Sequence, residues 1–242
     1  GFAHLNQEGS RDVLIDHTDF LNNSCLTNGG AVYQEISSTE GAELILRNVS
    51  FTGNEAESEG SAIAIVNFFF ELLSGIVIEN GIFQGNDVEF GSRLISIRES
   101  TLKLNDVVFS LNSIIDSSGG TGLCIFSERS VIEVSNCLFK NSFTSGVIRA
   151  SLESEVKLRN SRFISNSTTG SGGCFTVRLN SRLDAHNCLF QDSHAGERGG
   201  VIFLDFPVLF PCKAFRDVQG NIALYRFWTF FAMERNRRVC SL

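Results

Sequence analysis

The sequence has no long hydrophobic run and no excess of positive charge. Its strongest apolar stretch, residues 222–233, is shorter than the roughly 20 residues that cross a bilayer and contains Arg226. We therefore expect no transmembrane span in this chain. Its 27 acidic residues outnumber its 20 basic residues, and the net charge is −7. Because no basic face is evident that could neutralise phosphates, we expect no nucleic acid as a partner.

Metal and redox motifs are also missing. The seven cysteines include no CxxC pair, which argues against a zinc ribbon or a redox centre, and the four histidines include no HExxH motif. Cys137 and Cys188 each precede a phenylalanine by two residues, and we expect both to be small buried residues. We predict no metal site, no cofactor and no catalytic residue.

What the sequence does contain is a repeat. Seven copies of one apolar phrase each end at a phenylalanine: Phe20, Phe51, Phe83, Phe109, Phe139, Phe163 and Phe190. The spacing runs from 24 residues, between Phe139 and Phe163, to 32 residues, between Phe51 and Phe83. Aliphatic residues precede the phenylalanine by seven and by five positions, which is the alternation of a strand with one buried face. A period of this length is typical of a solenoid, a propeller or an array.

Asparagine recurs on both sides of the phenylalanine. Three positions before it, five copies have Asn48, Asn80, Asn136, Asn160 and Asn187. Three positions after it, five copies have Asn23, Asn54, Asn86, Asn112 and Asn166. Asparagine tolerates left-handed backbone angles, and its amide can bond the turn backbone and the amide of the next coil. We therefore predict structural roles for these residues, with the set before the phenylalanine forming a ladder.

A glycine-led strand follows each turn, as in Gly29-Gly30-Ala31-Val32, and a polar corner such as Arg98-Glu99-Ser100 leads into the next copy. Parallel neighbours without helical crossovers are typical of β-helix coils stacked about 4.8 Å apart. A propeller blade would need about 40 residues and four strands, so it fits less well. We predict an all-β, single-stranded parallel β-helix of about seven coils, in which the seven phenylalanine rings stack as an internal column.

The paired phrases Phe51-Thr52-Gly53-Asn54 with Gly60-Ser61-Ala62-Ile63, and Phe163-Ile164-Ser165-Asn166 with Gly172-Gly173-Cys174-Phe175, resemble the FxxN and GGA(I/L/V) repeats of the chlamydial polymorphic outer membrane protein family. The resemblance spans about residues 13–204. It implies a right-handed β-helix of the pectin-lyase-like type, displayed outside the cell and associated with adhesion. Arg93, Leu123 and Cys174 stand where the family prefers alanine.

The repeat stops at Asp205. We therefore expect a β-helix domain over residues 1–204 and a non-repeat segment over residues 205–242. Both prolines, Pro207 and Pro211, lie in this segment, together with several aromatic and basic residues. The segment is either a cap over the last coil or a tail unrelated to the fold.

Two functions fit such a β-helix. The first is a surface-displayed or secreted binding or adhesion scaffold without catalytic activity, located outside the cell or at its surface. Its partner would be a protein or glycan at a cell surface, or a second copy of the chain. The alternative is a polysaccharide lyase or glycoside hydrolase of the pectin-lyase-like type, which needs several acids and a basic residue on one strand face. The isolated acids Asp106, Asp184 and Asp192 fall at different positions of the repeat, so we favour the scaffold.

Two further features bear on partners and on the compartment. The longest coil contains Phe68, Phe69 and Phe70, and in an extended strand Phe68 and Phe70 can face inward only if Phe69 faces outward. We predict a partner contact there, the alternative being burial of the run by the widened coil or by the C-terminal aromatic segment. Acceptor patterns for N-glycosylation begin at Asn22, Asn48 and Asn166 and would fit secretion, although this triplet is common by chance in a chain rich in asparagine and serine.

Overall fold

A computed structural model describes residues 3–7, 12–36, 43–57, 60–67, 75–89, 93–115, 123–144, 146–168, 170–197, 200–204 and 215–216. These residues form strands and turns, with no helix among them. None of the described segments is a helix of the length and apolarity needed to cross a membrane. The strands are all paired in parallel, and equivalent residues of successive repeats lie beside one another. The prediction of an all-β parallel solenoid is confirmed.

Three long sheets run along the solenoid. Sheet 1 contains Ala3–Gln7, Val32–Ile36, Ile63–Asn67, Arg93–Arg98, Leu123–Glu128, Ile148–Ser151, Phe175–Val177 and Ile202–Leu204. Sheet 2 contains Val13–Asp16, Glu43–Arg47, Gly75–Glu79, Thr101–Asn105, Val131–Ser135, Glu155–Arg159, Arg182–His186 and Phe215–Arg216. Sheet 3 contains Asp19–Leu21, Ser50–Thr52, Ile82–Gln84, Val108–Ser110, Leu138–Lys140, Arg162–Ile164 and Leu189–Gln191.

Three short pairs of strands lie at the corner between sheet 3 and sheet 1. Ser24–Cys25 pairs with Glu55–Ala56, Asp87–Glu89 with Ser113–Ile115, and Ser167–Thr168 with His194–Ala195. Each repeat therefore contributes one strand to each long sheet, and these short strands support the corner after sheet 3.

The core follows from the alternation in sheet 2. In Glu43–Arg47, Leu44 and Leu46 are fully buried, while the residues between and beside them are partly exposed. The same inward positions are occupied in register by aliphatic residues or alanine in the following coils, as from Leu44 to Ile76. Burying one such side chain stabilises the fold by about 1.5–3 kcal/mol. The predicted pattern of one buried face per strand is therefore confirmed.

Two sharp corners in every repeat need left-handed backbone. Three positions before each phenylalanine, φ lies between 49° and 56°, and the residues are His17, Asn48, Asn80, Asp106, Asn136, Asn160 and Asn187. Two positions after it, φ lies between 51° and 63°, and the residues are Asn22, Gly53, Gly85, Leu111, Asn141, Ser165 and Asp192. Asparagine, aspartate and glycine adopt this conformation most readily, which explains their recurrence at these positions.

The segment after residue 204 is described only at Phe215–Arg216. These residues pair with Ala185 and His186 and so add a strand to sheet 2. The pairing favours a segment that continues the solenoid. The domain boundary at residue 204 stays a prediction.

Candidate functional site

The seven phenylalanines form one stack inside the solenoid. Ring centroids of neighbours from Phe20 to Phe163 are 4.6–4.7 Å apart, with interplanar angles of 3–8°. The last pair, Phe163 and Phe190, is 5.1 Å apart at 22°. Phe175 from sheet 1 packs edge-on against both of these rings, at 4.9 Å and 5.7 Å. The column is a packing element, because its rings are almost completely buried.

A buried asparagine column runs beside the rings, three positions after each phenylalanine. Asn54 Oδ1 accepts hydrogen bonds from the backbone N–H and the Nδ2 of Asn23, at 3.1 Å and 2.8 Å. Asn86 Oδ1 accepts the same pair from Asn54, at 3.0 Å and 3.1 Å. Each Nδ2 can also donate to a phenylalanine carbonyl of the previous coil, as from Asn86 to Phe51 at 2.9 Å. The side-chain oxygen and nitrogen of Asn54, Asn86, Asn112 and Asn166 therefore have partners inside the fold, so none of these four amides is presented to a ligand.

The asparagines three positions before each phenylalanine form a second, more exposed column. Four of the five are exposed, and Asn48 is half-buried. The Nδ2 of each lies 2.8–3.4 Å from a side-chain oxygen one coil earlier, which for Asn80 is Asn48 Oδ1 and for Asn187 is Asn160 Oδ1. The column after the phenylalanine has the denser hydrogen bonding of the two.

A serine column at the third corner was not expected from the sequence. Ser100, Ser130, Ser154 and Ser181 are all buried. The backbone N–H of each of the first three donates to the hydroxyl oxygen of the next, at 3.0–3.2 Å. The serine hydroxyl in turn donates to a carbonyl two or three residues earlier. The signal in the sequence was the serine ending each polar corner, but it recurs only in the later copies.

The three glycosylation acceptors have different environments. Asn22 is exposed, and Asn48 is half-buried with its Nδ2 on Asp16 Oδ1 at 3.1 Å. Asn166 is 0% exposed, and its Nδ2 donates to the Phe139 carbonyl at 3.0 Å. The folded chain therefore does not present Asn166 for glycosylation, and this residue is withdrawn as an acceptor. Asn22 and Asn48 stay predictions.

The described thiols are mostly buried and poorly suited to nucleophilic chemistry. Burial raises the pKa of Cys124 and of Cys174 to about 12, and that of Cys137 to about 11. A thiol with a raised pKa is inert at neutral pH because the thiolate is the nucleophile. Cys124 lies beside Ser142, and Cys174 donates to Ser193 Oγ at 3.2 Å. Both thiols therefore lie where serine interrupts the buried asparagine column.

The outward face of sheet 2 carries paired charges. Arg47 Nε lies 2.8 Å from Glu79 Oε2, and Lys157 Nζ lies 3.2 Å from Glu133 and 3.3 Å from Glu155. These pairs are partly exposed, and such pairs contribute roughly 0–1 kcal/mol each. The described residues contain no group of three or more histidine, cysteine, aspartate or glutamate side chains that could hold a metal ion.

The outward face of sheet 1 carries one such pair, Arg98 Nε at 3.2 Å from Glu128 Oε2, and beside it several cations lie close together. By register, Ser96, Phe126, Arg149 and Thr176 follow one another across four strands and alternate with core residues of the same strands. The guanidinium carbon of Arg93 lies 3.4 Å from the centroid of the Phe126 ring. Ser96, Phe126 and Thr176 are only 1%, 4% and 3% exposed, although they point away from the core.

Arg149 occupies the centre of this arrangement. Burial, together with the positive charges of Arg178 and Arg93, lowers the pKa of Arg149 to about 10. The guanidinium is still protonated at neutral pH. No ion pair joins it to a carboxylate of the described residues, and its Nε is buried without a hydrogen-bond partner. Sequence reasoning missed this cluster, because loops of unequal length hide which outward residues of sheet 1 become neighbours.

The predicted partner contact at Phe68, Phe69 and Phe70 lies outside the described residues. Exposed apolar residues within the described part include Leu26, Leu111 and Phe143, at 76%, 55% and 49% exposure. They lie at the corner after sheet 3, at different positions of the repeat, and do not form one row.

Comparison with protein families matches one part of the chain. Residues 17–35 match the model of the Chlamydia polymorphic membrane protein (Chlamydia_PMP) repeat. This stretch contains Phe20, the buried Asn23 and the glycine-led strand that begins at Gly29. The resemblance expected from the sequence is confirmed at this copy. No curated protein and no solved structure matches the chain.

Proposed function

We propose that this chain is a β-helical binding or adhesion scaffold, displayed at a cell surface or secreted, without catalytic activity. The observation that carries the proposal is the matched repeat at residues 17–35 within a continuous parallel solenoid. The name of the matched repeat places it in membrane proteins of Chlamydia. We take from it a surface role for this chain, with a protein or glycan at a cell surface, or a second copy, as the partner.

The distribution of polar groups supports a scaffold. The asparagine and serine columns bond within the fold, and the phenylalanine column fills the interior. The side chains left for a partner are those of the outward rows, which repeat at the coil spacing of about 4.8 Å. Such a surface suits recognition of an extended partner along the solenoid axis.

Binding to cells is the direct test. Fluorescently labelled chain is added to cultured cells, and bound fluorescence is measured with and without an excess of unlabelled chain. We expect saturable binding that the unlabelled chain displaces. Binding that does not saturate, or that the unlabelled chain leaves unchanged, would contradict the proposal.

The absence of catalysis is tested separately with polygalacturonate, with and without calcium. We expect no unsaturated products and no new reducing ends. The variant Asp184→Asn is the control, because Asp184 lies 2.9 Å from His186 on the outward face of sheet 2. Turnover by the unaltered chain that this variant loses would establish the lyase or hydrolase alternative.

A further inference from the structure

We propose that the outward face of sheet 1 is a binding site for an acidic polysaccharide, whose sulfate or carboxylate groups are bound by Arg93, Arg149 and Arg178. This inference rests on the proposed role as a surface-binding scaffold and adds the chemical class of the ligand. The site is defined by these three arginines and by Phe126, and we call it the arginine face.

The arginine face spans four neighbouring strands. Arg93 begins Arg93–Arg98, Phe126 lies in Leu123–Glu128, Arg149 in Ile148–Ser151, and Arg178 directly follows Phe175–Val177. At about 4.8 Å between strands, the first and last arginines are separated by roughly 14 Å along the solenoid axis. The three cations therefore come from different coils along the axis, as a polymer with repeated acidic groups requires.

The charge of Arg149 is what a ligand would compensate. On sheet 2, Arg47, Lys103 and Lys157 each lie within 3.5 Å of a glutamate, whereas Arg149 faces two further arginines. Its buried Nε lacks a hydrogen-bond partner, which leaves one donor of a five-donor guanidinium unused. Leaving a buried donor unpaired disfavours the fold, and so does placing like charges together. A bound anion would compensate the repulsion among the three cations.

Access and geometry also fit an anion. All three arginine side chains are half-buried, so each retains contact with solvent. Stacking on the Phe126 ring fixes the plane of the Arg93 guanidinium. A fixed guanidinium plane favours bidentate hydrogen bonds to a sulfate or carboxylate.

A polysaccharide fits better than a nucleic acid because of the charge on the rest of the molecule. The chain carries a net charge of −7, so a dense polyanion is repelled outside this face. Duplex DNA carries about one negative charge per 1.7 Å of its axis, far denser than three arginines spread over four coils. A polymer with more widely spaced acidic groups can bind the three arginines and is repelled less by the acidic remainder of the chain.

Dextran sulfate of low sulfation, with its charges sparser than those of DNA, is the probe, and uncharged dextran is the matched polymer without the anions. Affinity for the whole chain is measured by fluorescence anisotropy at one fixed ionic strength. We expect binding of dextran sulfate and none of dextran. The variant Arg149→Thr copies the threonine that occupies the same row one coil later, Thr176, and so retains a residue type that this sheet accepts. It should weaken binding about tenfold, the loss of a charge-assisted hydrogen bond.

The control variant is Arg162→Thr. Arg162 is an exposed arginine pointing outward from sheet 3, and its replacement removes the same charge. It should change the affinity less than about twofold, because exposed charges away from a site act only through a screened field. Equal weakening by both variants would show non-specific charge attraction and overturn the proposal. No binding of dextran sulfate, or no effect of Arg149→Thr, would overturn it as well.

A second arginine variant and a second polyanion complete the test. Arg178→Thr must weaken binding too, and it replaces Arg149→Thr if circular dichroism shows that the latter is unfolded. Single-stranded DNA that binds as tightly as dextran sulfate would overturn the choice of a polysaccharide. Cell binding is measured independently, so a chain that binds cells but not dextran sulfate contradicts only this inference.

Discussion

Phe139 and Phe143 lie four residues apart and have opposite environments. Phe139 is fully buried, with Phe109 and Phe163 stacked on its two faces, whereas Phe143 is 49% exposed. Phe139→Ala leaves a cavity in a column that cannot collapse without disturbing its neighbours, so we expect a loss of about 3–5 kcal/mol in the free energy of unfolding. Phe143→Ala should change it by less than about 1 kcal/mol. Urea denaturation of both variants checks this. Equal losses of free energy of unfolding would contradict a stabilising role for the ring stack.

Asn86 tests the buried asparagine column. Asn86→Ala removes the acceptor of two hydrogen bonds from Asn54 and the donor to the Phe51 carbonyl. Each buried group left unpaired costs about 1–3 kcal/mol, so we expect a loss of at least about 2 kcal/mol in the free energy of unfolding. The matched variant is Asn80→Gly, which keeps a residue suited to φ 54° at an exposed corner. We expect it to lose less than about 1 kcal/mol. A loss at Asn80 as large as at Asn86 would disprove the difference between the two columns.

Residue roles could be predicted where they depend on spacing alone. The phenylalanine column follows from one repeated residue at a nearly constant register. Which asparagine column is buried does not follow, because Asn48 and Asn54 both lie three residues from Phe51. The difference arises from the left-handed residue Gly53, after which Asn54 turns inward. Backbone direction at such a corner is a property of the folded coil, so spacing alone gives both residues the same prediction.

At the scale of the element, each coil is a unit that contacts only its neighbours, and one unit should be removable. Deleting residues 110–139 joins Phe109 to Lys140, which occupies the register position of Ser110 in the next coil. Phe109 would then stack directly on Phe163. Because solenoid stability is roughly a sum over units and their interfaces, we expect a β-rich circular dichroism spectrum and a cooperative but lower melting transition.

The control deletion removes residues 110–138 and is one residue shorter. It leaves Phe139 next to Phe109 and shifts the strand by one position. A shift of one residue turns every side chain of a strand to its opposite face. We expect this variant to melt well below the in-register deletion. If the two deletions melt at the same temperature, register does not determine the stability of this solenoid.

The strands themselves were predictable because their alternation is regular, as in Glu43–Arg47. Which outward residues of neighbouring strands become neighbours was not predictable. Arg93 and Arg149 are separated by 56 positions in the sequence, and the coils between them differ in length, so their meeting depends on where each loop ends and each strand begins. Sheet 1 follows the variable corner, which is why the arginine face became visible only in the structure.

At the scale of the whole molecule, buried thiols make the fold sensitive to alkali. Burial raises the pKa of Cys124 and Cys174 from 9.0 to about 12, and that of Cys137 to about 11. Between pH 9 and these values, the unfolded chain releases thiol protons that the folded chain retains. The unfolded state therefore binds fewer protons, and the free energy of unfolding falls as pH rises. Each such thiol contributes a slope of up to about 1.4 kcal/mol per pH unit.

Arg149 acts in the opposite direction above about pH 10, because its pKa is lowered and the unfolded chain then holds the extra proton. The thiols outnumber it, so we expect a net loss of stability beginning near pH 9. Urea denaturation at a series of pH values measures the slope, and Cys174→Ala should reduce it. A stability that stays constant between pH 9 and 11 would show that these thiols ionise freely in the folded chain.

The even spacing of the rings gives the molecule a fixed unit of length. Successive centroids are 4.6–4.7 Å apart over six phenylalanines, whether the intervening chain has 24 residues or 32. The length of a loop therefore does not affect the axial distance between coils. Duplication or loss of a repeat shifts every later residue along the axis by one coil spacing. The axial distance between equivalent surface groups of two coils is consequently a whole multiple of the coil spacing. Gain of one coil between Arg149 and Arg178 would lengthen the axial distance between these two charges by one step while keeping both contact residues.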